Sequence, residues 1–197
     1  MVNPNAVASS GTYYIKGTNS NGCVAMTSVI VTVNALPNVV SVNPTTVCAP
    51  TTIDLTASAV TTGSDTGLTF TYFTDSAATT VLTLPSAVTT SGTYYIKGTN
   101  ANGCSVITPV TVTINLQPVL TITNPASVCS PSTIDITANA ITAGSDTGIT
   151  LSYWSDSSAT TALTTASAVT TSGTYYIKAV NNANGCEKIM PVTVTIN

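Results

Sequence analysis

The side chains with chemistry to offer are few, and they recur. The five cysteines are Cys23, Cys48, Cys104, Cys129 and Cys186, and six of the seven acidic residues form the matched sets Asp54, Asp65, Asp75 and Asp135, Asp146, Asp156. Histidine is absent. Without an imidazole, neither a serine nor a cysteine nucleophile has its usual base, and no Cys-x-x-Cys pair offers a zinc site. Asp65 lies between Gly63 and Gly67, and its copy Asp146 between Gly144 and Gly148. Either could lend one carboxylate to calcium, but that ion takes about six to eight oxygens and the EF-hand spacing is missing. Both read better as turn formers. No enzyme activity, metal or cofactor is expected, and thiol chemistry is what remains.

Those thiols are placed by a repeat. Cys23 and Cys104 are 81 positions apart, as are Cys48 and Cys129, and Cys186 follows Cys104 by 82 because Asn181-Asn182 replace a single Asn. The hexapeptide Gly-Thr-Tyr-Tyr-Ile-Lys keeps the same beat, starting at Gly11, Gly92 and Gly173. A period of that length is one small domain. Residues 1–35 match 82–116 and form the back half of a module, 36–115 form a whole module, and 116–197 form another. There are three back halves and only two front halves, so the sequence reads as a window on a longer array, with residues 1–35 completed by missing sequence or by another chain.

The elements that must position the thiols are strands. Thr, Ser, Val and Ala dominate, only 6% of residues are charged, and helix formers are scarce, which is a strand composition. In Gly92–Lys97, period 2 sends Tyr94 and Ile96 one way and Tyr95 and Lys97 the other. Asn102-Gly103 and its copies turn the chain into a hairpin. Further strands are expected at Val39–Asn43, Thr52–Ala57 with Ile53, Leu55 and Ala57 inward, Leu68–Tyr72, and Val81–Leu84. Seven short strands per module predict an all-β, two-sheet sandwich. A net charge of −3 with four basic residues leaves no patch for nucleic acid or an anionic membrane. No apolar run approaches the roughly 20 residues of a spanning helix. No leader precedes the first repeat, which fits a processed or internal piece.

Val47-Cys48, Thr52-Ile53-Asp54-Leu55-Thr56-Ala57, Gly92-Thr93-Tyr94-Tyr95-Ile96, Asn102-Gly103-Cys104 and Val110–Ile114 together resemble the Ig-like and PKD-like repeats of secreted Bacteroidetes surface proteins. The resemblance covers the whole chain. It implies tandem Ig-like sandwiches serving as the stalk or filament body of a surface protein or adhesin, outside the cell. The partners implied are neighbouring modules of the same or identical chains. The alternative is a secreted exoprotein module that binds carbohydrate or protein.

Paired thiols in small β modules point to disulfides and an oxidising compartment. In an Ig-type sandwich, Cys48 before strand B and Cys104 after the last hairpin turn are separated by a strand of about seven residues, roughly 20 Å. A disulfide spans about 7 Å between Cα atoms. Head-to-tail stacking instead joins Cys48 to Cys186 of the next module. A different strand placement would restore pairing within modules, Cys48 with Cys104 and Cys129 with Cys186, so both arrangements stay open. The partner of Cys23 lies outside this segment. Phe73 and Trp154, at matching positions facing away from the expected core, are candidate contacts for a neighbouring module or a surface glycan. Lys16, Lys97 and Lys178 read as solvated strand charges that discourage stray pairing. Asp75-Ser76-Ala77 resembles a short Bacteroidetes O-glycosylation motif, which makes Ser76 a candidate acceptor.

Overall fold

The computed structural model describes residues 5–197. Among them the strands are β1 (Gly11–Thr18), β2 (Val24–Val31), β3 (Val47–Cys48), β4 (Thr69–Phe73), β5 (Gly92–Thr99), β6 (Ser105–Val112), β7 (Ile114–Asn115), β8 (Ile149–Trp154), β9 (Gly173–Asn181) and β10 (Glu187–Val194). Among the described residues the one helical element is a 3-10 turn at Ser58–Thr61, and the chain is all-β.

The hexapeptide builds β1, β5 and β9, and the turn after each is set by side-chain chemistry. Asn19 Oδ1 accepts the backbone N–H groups of Asn21 and Cys23, and Asn100 Oδ1 accepts those of Asn102 and Cys104. Gly22 and Gly103 both sit at φ +80°, where a side chain would be strained. A serine clamps the other end of each hairpin. Ser10, Ser91 and Ser172 each accept one backbone N–H at 2.8 Å, from Val33, Ile114 and Ile196. The Asx turn and the serine clamp together explain why one hexapeptide returns to one geometry.

The chain divides into two compact units that do not follow the repeat boundaries. The first comprises Met1–Pro44, Leu55–Ser86 and Thr93–Thr111; the second comprises Thr45–Asp54, Ala87–Gly92 and Val112–Asn197. In the first unit β1 pairs with β2 alone, while β5 lies between β4 and β6. Its buried residues include Leu55, Val60, Phe73, Tyr94, Ile96 and Val110. In the second unit β9 lies between β8 and β10, and β3 pairs with β7 in parallel. Its core gathers Leu120, Ile134, Ile136, Ile141, Val169, Ile177, Ala179, Val192 and Val194.

The expected Thr52–Ala57 strand is shorter than its pattern. Ile53 makes an isolated bridge to Val88, Leu55 N–H donates to the Pro85 carbonyl at 2.8 Å, and Ala57 is exposed. The Ser58–Thr61 turn then takes the chain away and buries Val60. Val39–Asn43 is irregular, tied down at Val42 N–H to Val60 O (2.8 Å) and Asn43 Oδ1 to Thr111 N–H (2.8 Å). Val81 contributes one bridge, to Phe73.

One position shows the repeats packing the same site with differently shaped side chains. A Cβ on Gly98 would lie 2.6 Å from Val39 Cγ2 and 3.2 Å from the Phe70 ring. The repeat copy has Ala179 there, fully buried, with Leu120 and Leu151 in place of Val39 and Phe70. Gly98→Ala should therefore cost about 1–3 kcal/mol through overpacking. Adding Val39→Leu and Phe70→Leu should recover much of it in urea unfolding. Equal stability of Gly98→Ala and the parent would contradict this.

Candidate functional site

The thiols define the site. Cys48 sits on β3, opposite Asn115 of β7. Val47 N–H donates to Thr113 O (3.3 Å) and Ala49 N–H to Asn115 O (2.8 Å), so backbone bonds fix the segment on both sides of the sulfur. Cys186 directly precedes β10 and is fully buried, with its N–H donated to Asn184 Oδ1 at 2.9 Å. Asn184 Nδ2 in turn donates to Leu116 O (3.4 Å). Cys48 and Cys186 are joined by a disulfide, with Cα atoms 5.6 Å apart and a separation of 138 in sequence. Both cysteines belong to the second compact unit.

Pairing within the modules does not occur: Cys104 and Cys129 carry free thiols, and so does Cys23. Strand length is the reason. Val128 bridges Ile196 and Ser130 N–H reaches Asn197 O (2.9 Å), which holds Cys129 beyond the far end of β10. Cys186 precedes its near end. The 8 residues of β10 separate them by roughly 26 Å at the usual rise. Cys104 stands instead 3.9 Å from the Asn34 carbonyl, and Asn100 Nδ2 donates to Ala35 O at 3.1 Å.

The aspartates serve as loop staples. Asp75 accepts the N–H groups of Thr80 (2.6 Å), Thr79 and Ala77, and Asp156 repeats the pattern with Thr161 (2.6 Å), Thr160 and Ser158. The Thr80 and Thr161 backbone bonds hold these carboxyls below the ordinary value of 3.8. The Thr137 hydroxyl does the same for Asp135. Burial, followed by the Asp135 charge, raises Tyr153. Because the folded carboxyls titrate lower than the unfolded ones, their stabilisation is present above about pH 3.8 and is lost as pH falls through the folded values. Asp75→Asn should flatten the acid limb of a thermal-melt pH series and lower the melting temperature at neutral pH; an unchanged acid limb would refute the assignment.

Asp65 and Asp146 likewise bind backbone. Their Oδ2 atoms accept Asn38 and Val119 N–H at 2.8 Å. Among the described residues no group of three or more His, Cys, Asp or Glu could hold a metal ion. Millimolar calcium should leave the melting temperature unchanged; a saturable rise would revive calcium at Asp65.

Phe73 is not the surface aromatic its alternation suggested. It is 8% exposed, because the chain after β4 folds back: Thr74 N–H donates to Thr80 O (3.0 Å), Leu82 N–H donates to Tyr72 O (2.9 Å), and Val81 bridges Phe73. Trp154 is half-buried, with Nε1–H donated to Ser152 Oγ at 2.9 Å. Ser76 is exposed on the Asp75 loop. Lys178 forms an ion pair with Glu187, while Lys16 is exposed.

A sequence profile described as "Ig-like domain CHU_C associated" matches residues 35–118 and again 116–197. The chain belongs to this family. It is a Bacteroidetes-type set of Ig-like domains, present here as two tandem copies. No curated protein matches these Ig-like domains in sequence. Among solved structures, the I-band fragment I67–I69 of titin is similar at 13% identity and a TM-score of 0.43, over 95% of this chain and 75% of that one. Domains 3–5 of Drosophila OTK are similar at 13% identity and a TM-score of 0.34, over 94% and 70%. Immunoglobulin domains 1–5 of Sidekick-1 give 14% and 0.32, over 95% and 46%.

Proposed function

We propose that this chain is a structural repeat region, part of the stalk or filament body of a secreted bacterial surface protein or adhesin. The observation that carries the reading is the Cys48–Cys186 bond, which ties the front cysteine of one sequence repeat to the turn cysteine of the next. A link of that kind resists extension of the chain. Disulfides persist in oxidising compartments, which supports a setting outside the cytoplasm. No helix among the described residues is long and apolar enough to cross a membrane. The loops support the same reading, since Asp65, Asp75 and their copies spend their carboxylates on backbone N–H groups.

Immunogold electron microscopy of the producing cells, with antibody raised to the repeats, tests the proposal. Label along extracellular fibres or stalks is expected. Label confined to the cell interior would overturn it, and saturable glycan binding lost with Trp154→Ala would favour a binding module.

A further inference from the structure

The hexapeptide meets two fates in one molecule. In β5 and β9 its isoleucines, Ile96 and Ile177, are fully buried; in β1 the same residue, Ile15, is 59% exposed. Val110 and Val192 are buried on β6 and β10, and their counterpart Val29 is 41% exposed. Edges differ as faces do. β5 is hydrogen-bonded on one side to β4 and β9 to β8, but β1 pairs with β2 alone. A shallow groove lined by Ile15, Gly17, Ala25, Met26 and Thr27 runs along the hairpin.

A second, covalent vacancy lies beside the first. The Asn115 carbonyl accepts the Ala49 N–H at 2.8 Å, the Asn197 carbonyl accepts the Ser130 N–H at 2.9 Å, and Cys48 next to Asn115 is bonded to Cys186. Asn34 is the same position one repeat earlier. Its carbonyl has the Cys104 thiol 3.9 Å away, and Cys104 is the counterpart of Cys186. Cys104 is thus seated on the end of the hairpin segment as a thiol, where its counterpart has a bond to a front-half cysteine.

We propose that the β1–β2 hairpin and Cys104 together are the acceptor site for the front half of another Ig-like module. The occupant is a polypeptide with the sequence character of residues 36–87. The pairing of β4 with β5 supplies the register: Tyr72 opposite Ile96 and Phe70 opposite Gly98 become Tyr72-type opposite Ile15 and Phe70-type opposite Gly17. Leu55- and Phe73-type residues cover the apolar face. The Cys48-type thiol meets Cys104, and a small-molecule disulfide oxidant takes the two electrons and two protons as the bond forms, ending as two thiols. A second copy of this chain does not supply the occupant, because each of its front halves already carries its own back half. The inference rests on the equivalence of the repeats and stands whether or not they serve as a stalk.

The test mixes the full chain with an isotope-labelled peptide of residues 36–87 in a glutathione redox buffer, followed by nonreducing peptide mapping. Cys23 and Cys129 are competitors within the same molecule and both are exposed. Cross-linking of the peptide Cys48 to Cys104 should exceed that to Cys23 or Cys129 by about tenfold, since docking raises the local thiol concentration. Ile15→Asp should remove that preference. Cys104→Ser should lose the cross-link yet keep peptide-dependent protection of β1 amides from hydrogen exchange, which separates docking from thiol reactivity. Equal labelling of the three cysteines, or unchanged preference with Ile15→Asp, would overturn the proposal. Equal protection of β1 in the chain alone would also overturn it, by making the face an interface between copies.

Discussion

Pulled from its ends, the oxidised chain should stop roughly 450–500 Å short of the length the reduced chain reaches. The span closed by Cys48 and Cys186 is 138 residues, and each residue released contributes about 3.3–3.6 Å when extended. Strand pairs give way under load one after another, but a covalent bond does not, so force bypasses nearly everything between the two cysteines. The same closure acts at equilibrium. Restricting an unfolded loop of this size stabilises the native state by about 5 kcal/mol on the chain-entropy account. Cys48→Ser and Cys186→Ser should therefore each give the long extension without reductant and melt at lower temperature, whereas Cys23→Ser should do neither. Identical extension of oxidised and reduced chains would dispose of the bond, and with it the strongest support for a mechanical role.

The period, the all-β class and the hairpins were legible because each rests on local chemistry. An Asn-Gly pair needs positive φ, a hexapeptide alternates, and a copy 81 residues on repeats the same demand. What local pattern does not reach is how a strand end is covered. Tyr72 and Phe73 are adjacent, so period 2 sends one inward and one outward, yet both are at least half-buried. The chain after β4 folds over Phe73 because Asp75 collects the N–H groups of the next turn, and a single Asp in a Ser/Thr-rich loop does not announce that. The Thr52–Ala57 stretch has a strand pattern but bends at Ser58 so that Val60 can be buried. For the thiols, strand length weighed against short pairing, but the choice turned on which strand end each cysteine occupies. β3 and β7 settle that position by pairing in parallel over two residues each, too little sequence to leave a pattern.

The three isoleucines of the hexapeptide give the sharpest contrast. Ile177→Ala should cost about 2–5 kcal/mol, the usual range for a large aliphatic side chain removed from a closed core. Ile177 is fully buried, with Tyr153 opposite it on β8 and Met190 opposite it on β10. A module of this size has about 5–15 kcal/mol to lose, and each kcal/mol moves its melting temperature by about 4–8 °C, so a shift of about 8 °C or more is expected. Ile96→Ala should act alike, since Ile96 is equally buried. Ile15→Ala changes the same residue in the same six-residue context and should stay within about 0.5 kcal/mol, because Ile15 keeps 59% of its surface in water. Its cost should appear only when a front-half peptide is bound, as weaker binding rather than a lower melting point. Were Ile15→Ala as damaging as Ile177→Ala in the bare chain, the hairpin face would already be closed, and the sequence identity of the three strands would extend to their surroundings.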